Sequence, residues 1–323
     1  MIYTLRLPSL IVRLCGTGPL RRIGNVGMNC GCEYTSFPQF RHLAPYSRLD
    51  HSRGVAAIVW EHTGDEAQAV AGLLHDIATP VFAHVIDFLH GDYMKQESTE
   101  DRTREMISGS PEITALLSQA GIPVDAVADY HRYPVADNDS PKLSADRLEY
   151  TLGNMVNFGF ASAETAQGLY GDLSVGRNES GEPELMFSRP DLALAFARLS
   201  LACSEVYSGD ADRYVMQILS ELVRDAVAQG VLAEDDLYLD EPAVIGKLTA
   251  DAAFRRRWET FRAMEKVYYP DADTPAARIV DAKRRCIDPY VAGQGRVSVL
   301  FPEYGNALDA YRNKRLDYRI AAG

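Results

Sequence analysis

Cysteine, histidine, net positive charge and long apolar runs are all in short supply in this chain of 323 residues. The five cysteines are Cys15, Cys30, Cys32, Cys203 and Cys286. So low and odd a number argues against a disulfide framework and for a reducing, cytoplasmic setting. Cys30-Gly31-Cys32 has no second pair near it, so as a zinc site it lacks half its ligands and reads as structural. No stretch approaches the ~20 apolar residues that span a bilayer. The segment Met1–Leu14 is interrupted by Arg6, Pro8 and Arg13 and lacks the uninterrupted core of a signal peptide. A membrane partner is not expected. Lys and Arg total 33 against 45 Asp and Glu, a formal net charge of −12. That deficit argues against binding extended nucleic acid, which needs a basic face. A small polyanion held by a few Arg or Lys beside a metal remains compatible.

What is present is ordinary globular material, 46% hydrophobic and 24% charged, enough for one large domain or two ordinary ones. The patterning is mostly helical. Asp65–His75 places Ala, Val and Leu at helical spacing behind an acidic start. Val81–His90, Ser98–Ile107, Pro111–Ala120, Ser144–Asn157, Leu192–Val206 and Ala211–Gln229 read as further helices. Glu241–Lys266 reads as two and Ala276–Arg285 as another. Strand signals are few: Gly168–Ser188 reads as a hairpin or long loop and Arg296–Leu300 as a short strand. The fold class expected is mainly α.

Six of the seven histidines fall between His42 and His90, the seventh being His131. His75-Asp76 closes an otherwise apolar helix. An imidazole and a carboxylate placed there cost desolvation unless something charged offsets it. A divalent cation would, since neutral imidazole and carboxylate ligate Mn, Fe, Co, Ni, Zn or Mg. His51, entering the apolar run Val55–Trp60, and Asp146, entering the helix after Ser144, follow the same logic. His51, His75, Asp76 and Asp146 form a two-His, two-carboxylate metal set. His42, His62 and His90 read as surface or core residues.

The order H…HD…D in a helical chain resembles the HD-domain metal-dependent phosphohydrolases. RLDHSRGVA around His51 is similar to that family's R-F-E-H-S-x-G-V. LLHDIATPVFAHVID resembles the H-D-x-x-H-x-P-F-x-H-x-x-D segment of its deoxynucleoside triphosphate triphosphohydrolase branch. LSADRLEY resembles L-D-A-D-x-x-D-Y, and PLRRIGNVG is like a stretch upstream of the first histidine. The resemblance covers roughly residues 19–158. It implies an HD-domain helical bundle over 19–158, with a mostly helical region, 159–323, packed on it. It also implies one divalent ion, a water attack on phosphorus with Asp76 orienting the water, and a small phosphorylated substrate of nucleotide type. Arg48, Arg147 and Tyr150 match positions near substrate phosphate or sugar. Homo-oligomers are common in that branch, and the long amphipathic helices would suit one.

The departures from the family pattern carry information too. Thr79 stands where the branch has a histidine, and Thr99, within Gln96–Glu100, where it has its acid–base histidine. Threonine supplies no proton near neutral pH. His84, with Glu97 and Glu100, is the substitute set. The sugar-reading aspartate appears as Asn154, which puts triphosphate release from standard deoxynucleotides in doubt. A di-iron oxygenase on the same fold, using His84, His90 or His131, and a nucleotide-binding module without turnover are the alternatives. The second half carries no mechanistic motif beyond AKRRCIDPYV (residues 282–291), which weakly resembles a C-terminal stretch of some HD proteins.

Overall fold

The computed structural model describes residues 2, 7–90, 102–271 and 274–323. The chain is mainly α. Arg48–Thr63 and Glu66–Leu74 pack face to face across a tight turn. Gly64, at φ 65°, ends the first helix in the left-handed conformation that glycine adopts without penalty. The Asp65 carboxylate then caps the second by accepting from the Ala67 and Gln68 amides. Gly72 lets the two helices approach closely, since a Cβ there would meet Val55 Cγ1 at 3.1 Å. The full burial of Leu73 and Leu74 contributes about 1.5–3 kcal/mol each. Ala145–Asn157, capped by Ser144, lies against Arg48–Thr63 on one side and Pro190–Tyr207 on the other. These contacts bring the start of Arg48–Thr63, the end of Glu66–Leu74 and the start of Ala145–Asn157 to one place.

The expected hairpin forms, with Leu173–Arg177 antiparallel to Pro183–Phe187 and Leu173 opposite Phe187. Its second strand continues in parallel to Tyr290–Val291, which pairs with Gly295–Arg296. A second, two-stranded sheet joins Val267–Tyr268 to Ala321–Ala322. The helices expected at Pro111–Ala120, Leu192–Val206 and Ala211–Gln229 are present as Pro111–Gln119, Pro190–Tyr207 and Asp210–Ala228. The two expected in Glu241–Lys266 are Glu241–Ala250 and Ala252–Arg262.

Three local expectations need correction. Residues 276–285 form no helix: the Arg278 amide and carbonyl pair with Ile320, and Val280 and Ala282 are buried. Long-range backbone pairing there overrides local helical preference. Residues 296–300 are strand only at Arg296; Val297–Leu300 is a helical turn. The helix expected from Val81 begins at Val85, because Phe82 and Ala83 adopt φ of 57° and 50°, outside the helical region. The helix expected from Ser98 is described from Thr103 to Gly109, and residues 91–101 lie outside the described set. Ser9–Cys15, Gly18–Ile23, Ala163–Tyr170 and Pro302–Arg312 are helices that periodicity passed over.

Two hydrophobic clusters hold the molecule, and each crosses residue 158. One joins Leu74, Ile77, Leu148 and Leu152 to Phe187, Phe196 and Tyr304. The other joins Cys32, Phe37, Val81 and Phe82 to Val215, Leu219, Trp258 and Ile320. The second half therefore shares its core with residues 19–158. All five cysteines are free thiols. Among the described residues no helix is long and apolar enough to cross a membrane.

Candidate metal and substrate site

The helix Arg48–Thr63 opens with a capping box in which Ser47 and Asp50 satisfy each other's backbone amides. That fixes the first turn, where His51 sits. Its Nδ1 lies 2.5 Å from Glu149 Oε2, and its Nε2 lies 3.0 Å from Asp146 Oδ1 and 3.9 Å from Asp76 Oδ2. His75 stands at the C-terminal end of Glu66–Leu74, where its Nδ1 donates to the Gly72 carbonyl at 2.7 Å. That bond sets the tautomer and leaves Nε2 as the lone pair facing the site. Nε2 is 3.5 Å from Asp76 Oδ2 and 3.7 Å from Asp146 Oδ1. Asp76 Oδ1 accepts from the Thr79 hydroxyl at 2.8 Å, and Oδ2 accepts from Arg48 Nη1 at 3.1 Å.

One ligand atom each from His51, His75 and Asp76 lies within 4.8 Å of the other two, an arrangement able to hold a metal ion. Asp146 flanks the two imidazoles of that group. Burial would push the His51 imidazole down, but hydrogen bonds to Asp146 and Glu149 carry it up to about 10. Burial would likewise raise both carboxylates. Arg48, His75 and His51 instead hold Asp76 well below the usual range, and His51 and His75 with Arg147 do the same for Asp146. The carboxylates stay anionic and favour a proton on His51; a divalent cation would take the place of that Nε2 proton, and the donor set fits such an ion.

The loop after Asp76 is pinned from upstream. Arg22, in the stretch PLRRIGNVG, donates to the carbonyls of Ile77 at 2.7 Å and Thr79 at 2.9 Å. A cavity of about 570 Å³ opens in front of these groups. Its walls come from both halves of the chain: Arg48, His84, Tyr130, Arg147 and Tyr150 from the first, Tyr207, Asp212, Lys283 and Arg285 from the second.

Arg48 is buried against Asp76, and the carboxylate keeps its guanidinium firmly charged despite burial. Its reach is toward the ligand group. Arg147 bonds the Lys142 carbonyl, Asn138 and Asp137, so much of its fork orders the 137–147 loop. Tyr150 lines the cavity, its hydroxyl pushed by burial up to about 12. Asn154 donates to the Tyr207 hydroxyl at 2.8 Å, and its buried Oδ1 has no partner within the protein. His84 donates from Nδ1 to Asp87 at 2.9 Å, with Arg285 Nη2 3.2 Å from its Nε2. Burial is the main reason its pKa falls to about 4. Glu97, Thr99 and Glu100 lie outside the described residues. His131 is exposed, beside Asp129 and Asp137. Among the described residues the metal-competent group is the one containing His51, His75 and Asp76.

Sequence pattern passed over three residues. Glu149 is three positions after Asp146 and therefore on the same helical face, a signal present in LSADRLEY. It fixes His51 and also accepts from the Tyr46 hydroxyl at 2.5 Å. Asp212 has no local signal; burial raises its carboxyl to about 7 beside the Cys32 thiol, 3.5 Å away. Arg285 lies in AKRRCIDPYV, but spacing alone does not show which of its cations faces the cavity.

With that geometry in hand, the mainly α fold has clear counterparts among solved structures. A hypothetical protein from Aquifex aeolicus superposes with a TM-score of 0.67 at 19% identity, covering 99% of this chain and 94% of that one. A phosphohydrolase from Bacteroides thetaiotaomicron gives 0.64 at 14% identity, covering 99% and 97%. At such identities the likeness is one of fold. In sequence, the chain is 24% identical over 280 residues to the metal-dependent phosphohydrolase cns2 of Cordyceps militaris, covering 84% of this chain and 80% of that protein. It is also 24% identical over 205 residues to the uncharacterized protein YdhJ of Bacillus subtilis, an alignment spanning 63% of this chain and 61% of that protein. No model of a known protein family matches the chain.

Proposed function

We propose that the protein is an HD-type, metal-dependent phosphohydrolase cleaving a phosphate ester or anhydride of a nucleotide or related small molecule. The observation that carries this reading is the convergence of His51, His75 and Asp76, flanked by Asp146, at the head of a cavity with cationic and aromatic walls. The likeness in fold to a phosphohydrolase and in sequence to a metal-dependent one supports it.

In this reading His51, His75, Asp76 and Asp146 would hold one divalent ion, which would polarise a phosphate oxygen and lower the pKa of a bound water. The protein supplies aim and charge balance. Glu149 and the Gly72 carbonyl fix which imidazole nitrogen faces the site. Thr79 and Arg48 hold the Asp76 carboxylate so that one oxygen keeps its orientation toward the reacting centre. Asp76 would serve as ligand and water orienter through that one held carboxylate. The cavity volume suits a nucleotide-sized ligand. Tyr130, Tyr150 and Tyr207 line the cavity where a base or sugar would lie, and the Asn154 carbonyl oxygen offers a buried acceptor to a ligand donor. Arg48 and Arg147 act here mainly on their own carboxylates, so phosphate contact through them is secondary.

The test is a panel of nucleoside mono-, di- and triphosphates and simple phosphomonoesters with Mn, Co, Ni or Mg, with products identified. Metal-dependent phosphate, pyrophosphate or triphosphate release, abolished by Asp76→Ala and by His75→Ala, is the expected result. Absence of release with every metal ends this reading, and two irons per chain with oxygen consumption would replace it by the oxygenase.

A further inference from the structure

We propose that Arg22 is a positioning residue for the metal ligand Asp76: its guanidinium holds the backbone turn behind that carboxylate and so sets how tightly a divalent ion binds. The role rests on the reading of His51, His75 and Asp76 as a metal site, and not on the identity of the substrate. The sequence offers Arg21 and Arg22 side by side; the fold leaves Arg21 exposed and turns Arg22 inward.

Glu66–Leu74 gives way at His75 to a tight turn, and Ile77, Ala78 and Thr79 are buried in it. The Ile77 amide returns to the Leu74 carbonyl at 3.1 Å, and the Thr79 amide to the Asp76 carbonyl at 3.0 Å. The carbonyls of Ile77 and Thr79 meet no backbone amide among the described residues. Buried carbonyls left open would destabilise the turn. Arg22 closes both, donating from Nη2 to Ile77 at 2.7 Å and from Nη1 to Thr79 at 2.9 Å. One planar fork thus fixes two points of the turn. The Thr79 hydroxyl in its place donates to Asp76 Oδ1 at 2.8 Å. Carbonyl and hydroxyl of a single residue therefore connect Arg22 to Asp76. With Oδ1 held, Oδ2 faces His75 Nε2 at 3.5 Å and His51 Nε2 at 3.9 Å.

The arm that carries Arg22 is itself fixed. Gly18–Ile23 packs on Arg48–Thr63, the helix that brings His51. Just beyond it, the Asn25 carbonyl accepts from the Glu241 amide at 3.2 Å, and Asn25 Nδ2 donates to Asp240 Oδ2 at 3.1 Å. At the other end of the turn, the Val81 amide donates to the Leu237 carbonyl at 2.7 Å. Clamp and turn are thus both tied to residues 237–241 of the second half. Burial draws the Arg22 pKa down to about 10, against Tyr238, Asp240 and Asp76. The fork stays charged at neutral pH, and a charged donor holds a carbonyl more strongly than a neutral one. The charges that act most on the Asp76 carboxylate are Arg48, His75 and His51. Arg22 acts on it by placing the turn.

The experiment is a double-mutant cycle on the full chain, read by Mn²⁺ titration calorimetry after thermal unfolding shows each variant folded. Arg22→Ala should weaken Mn²⁺ binding about tenfold or more, the scale of losing an outer partner of a metal ligand. Thr79→Val keeps the side-chain shape without the hydroxyl and should weaken binding on the same scale. Because Arg22 acts through Thr79, the double variant should bind within about twofold of Arg22→Ala alone. Guanidinium chloride, added well below its unfolding range, should restore part of the affinity of Arg22→Ala, and sodium chloride at equal ionic strength should not. Arg22→Lys keeps the charge without the fork and should fall between parent and Arg22→Ala. A general loss of stability would produce neither the non-additivity nor the guanidinium rescue. Should Arg22→Ala fail to fold, Arg22→Lys carries the same cycle with Thr79→Val. The proposal is overturned if the parent binds no Mn²⁺, or if the Arg22 variant binds it as the parent does. It is also overturned if the Arg22 and Thr79 losses multiply in the double variant. Mn²⁺ binding that depends on both residues, with no phosphate released from any substrate, would sustain this inference and end the hydrolase reading. Phosphate release with Mn²⁺ binding indifferent to Arg22 would do the reverse.

Discussion

The two ends of the cavity use the same device to opposite effect. At one end His51 has a buried carboxylate, Glu149, on Nδ1 and a second carboxylate, Asp146, on Nε2. At the other end His84 also has a buried carboxylate, Asp87, on Nδ1, but a guanidinium on Nε2. The first ring is pulled up to about 10 and the second is pushed down to about 4. Burial acts downward on both. What differs is the sign of the charge at Nε2.

The strongest way to break that contrast is to remove a ligand from the acidic end. Asp76→Ala leaves Arg48 buried against nothing and takes one oxygen from the ligand group; Mn²⁺ binding and turnover should both drop to background, measured by calorimetry and phosphate release. A folded Asp76→Ala enzyme that keeps its metal and rate would dissolve the distinction. Glu149→Gln is subtler. It keeps the shape but weakens the hold on His51, and metal affinity should fall about 10–100-fold, the usual cost of losing such an outer partner. Asp87→Asn is the matching change at the His84 end, where Mn²⁺ affinity should move by less than about threefold. If Asp87→Asn and Glu149→Gln had the same effect on metal, the two ends would not be specialised.

The smallest expected effect concerns Asp212 on the second-half wall. Burial raises its carboxyl from 3.8 to about 7, against the Cys32 hydrogen bond and the Arg285 charge. The folded state therefore keeps a proton that the unfolded chain releases. Stability on this account is highest below about 4, declines as the pH rises to about 7, and is level beyond. Asp212→Asn removes that titration, so the variant should gain in Tm relative to the parent at pH 8 and gain little at pH 4, by thermal unfolding at both pH values. An equal shift at the two values would mean the carboxyl is not held protonated.

How much of this was legible beforehand varies by residue. His51, His75, Asp76 and Asp146 stand out because an imidazole or carboxylate at the mouth of an apolar helix is conspicuous in a one-dimensional pattern. Glu149 was visible only as a helical neighbour of Asp146, since nothing in the chain says that its carboxylate meets a histidine 98 positions away. Arg48 and Arg147 were legible as cations near the motifs, but their partners, Asp76 and the carbonyls of the 137–147 loop, follow from packing. The absence of a helix at 276–285 was illegible because its backbone finds Ile320 across the fold.

By itself the sequence determined the mainly helical class, the capped helix starts at Ser47, Asp65 and Ser144, and the inventory of metal-ligating groups, because periodicity, capping and side-chain chemistry are local properties. Only tertiary structure decided which charge each group faces. It set Arg285 rather than another carboxylate against His84, and it joined residues on both sides of 158 into shared cores around one cavity. The physical reason is range: a hydrogen bond or a buried ion pair acts over a few ångströms, and residues some 200 positions apart reach that distance only when the chain has folded.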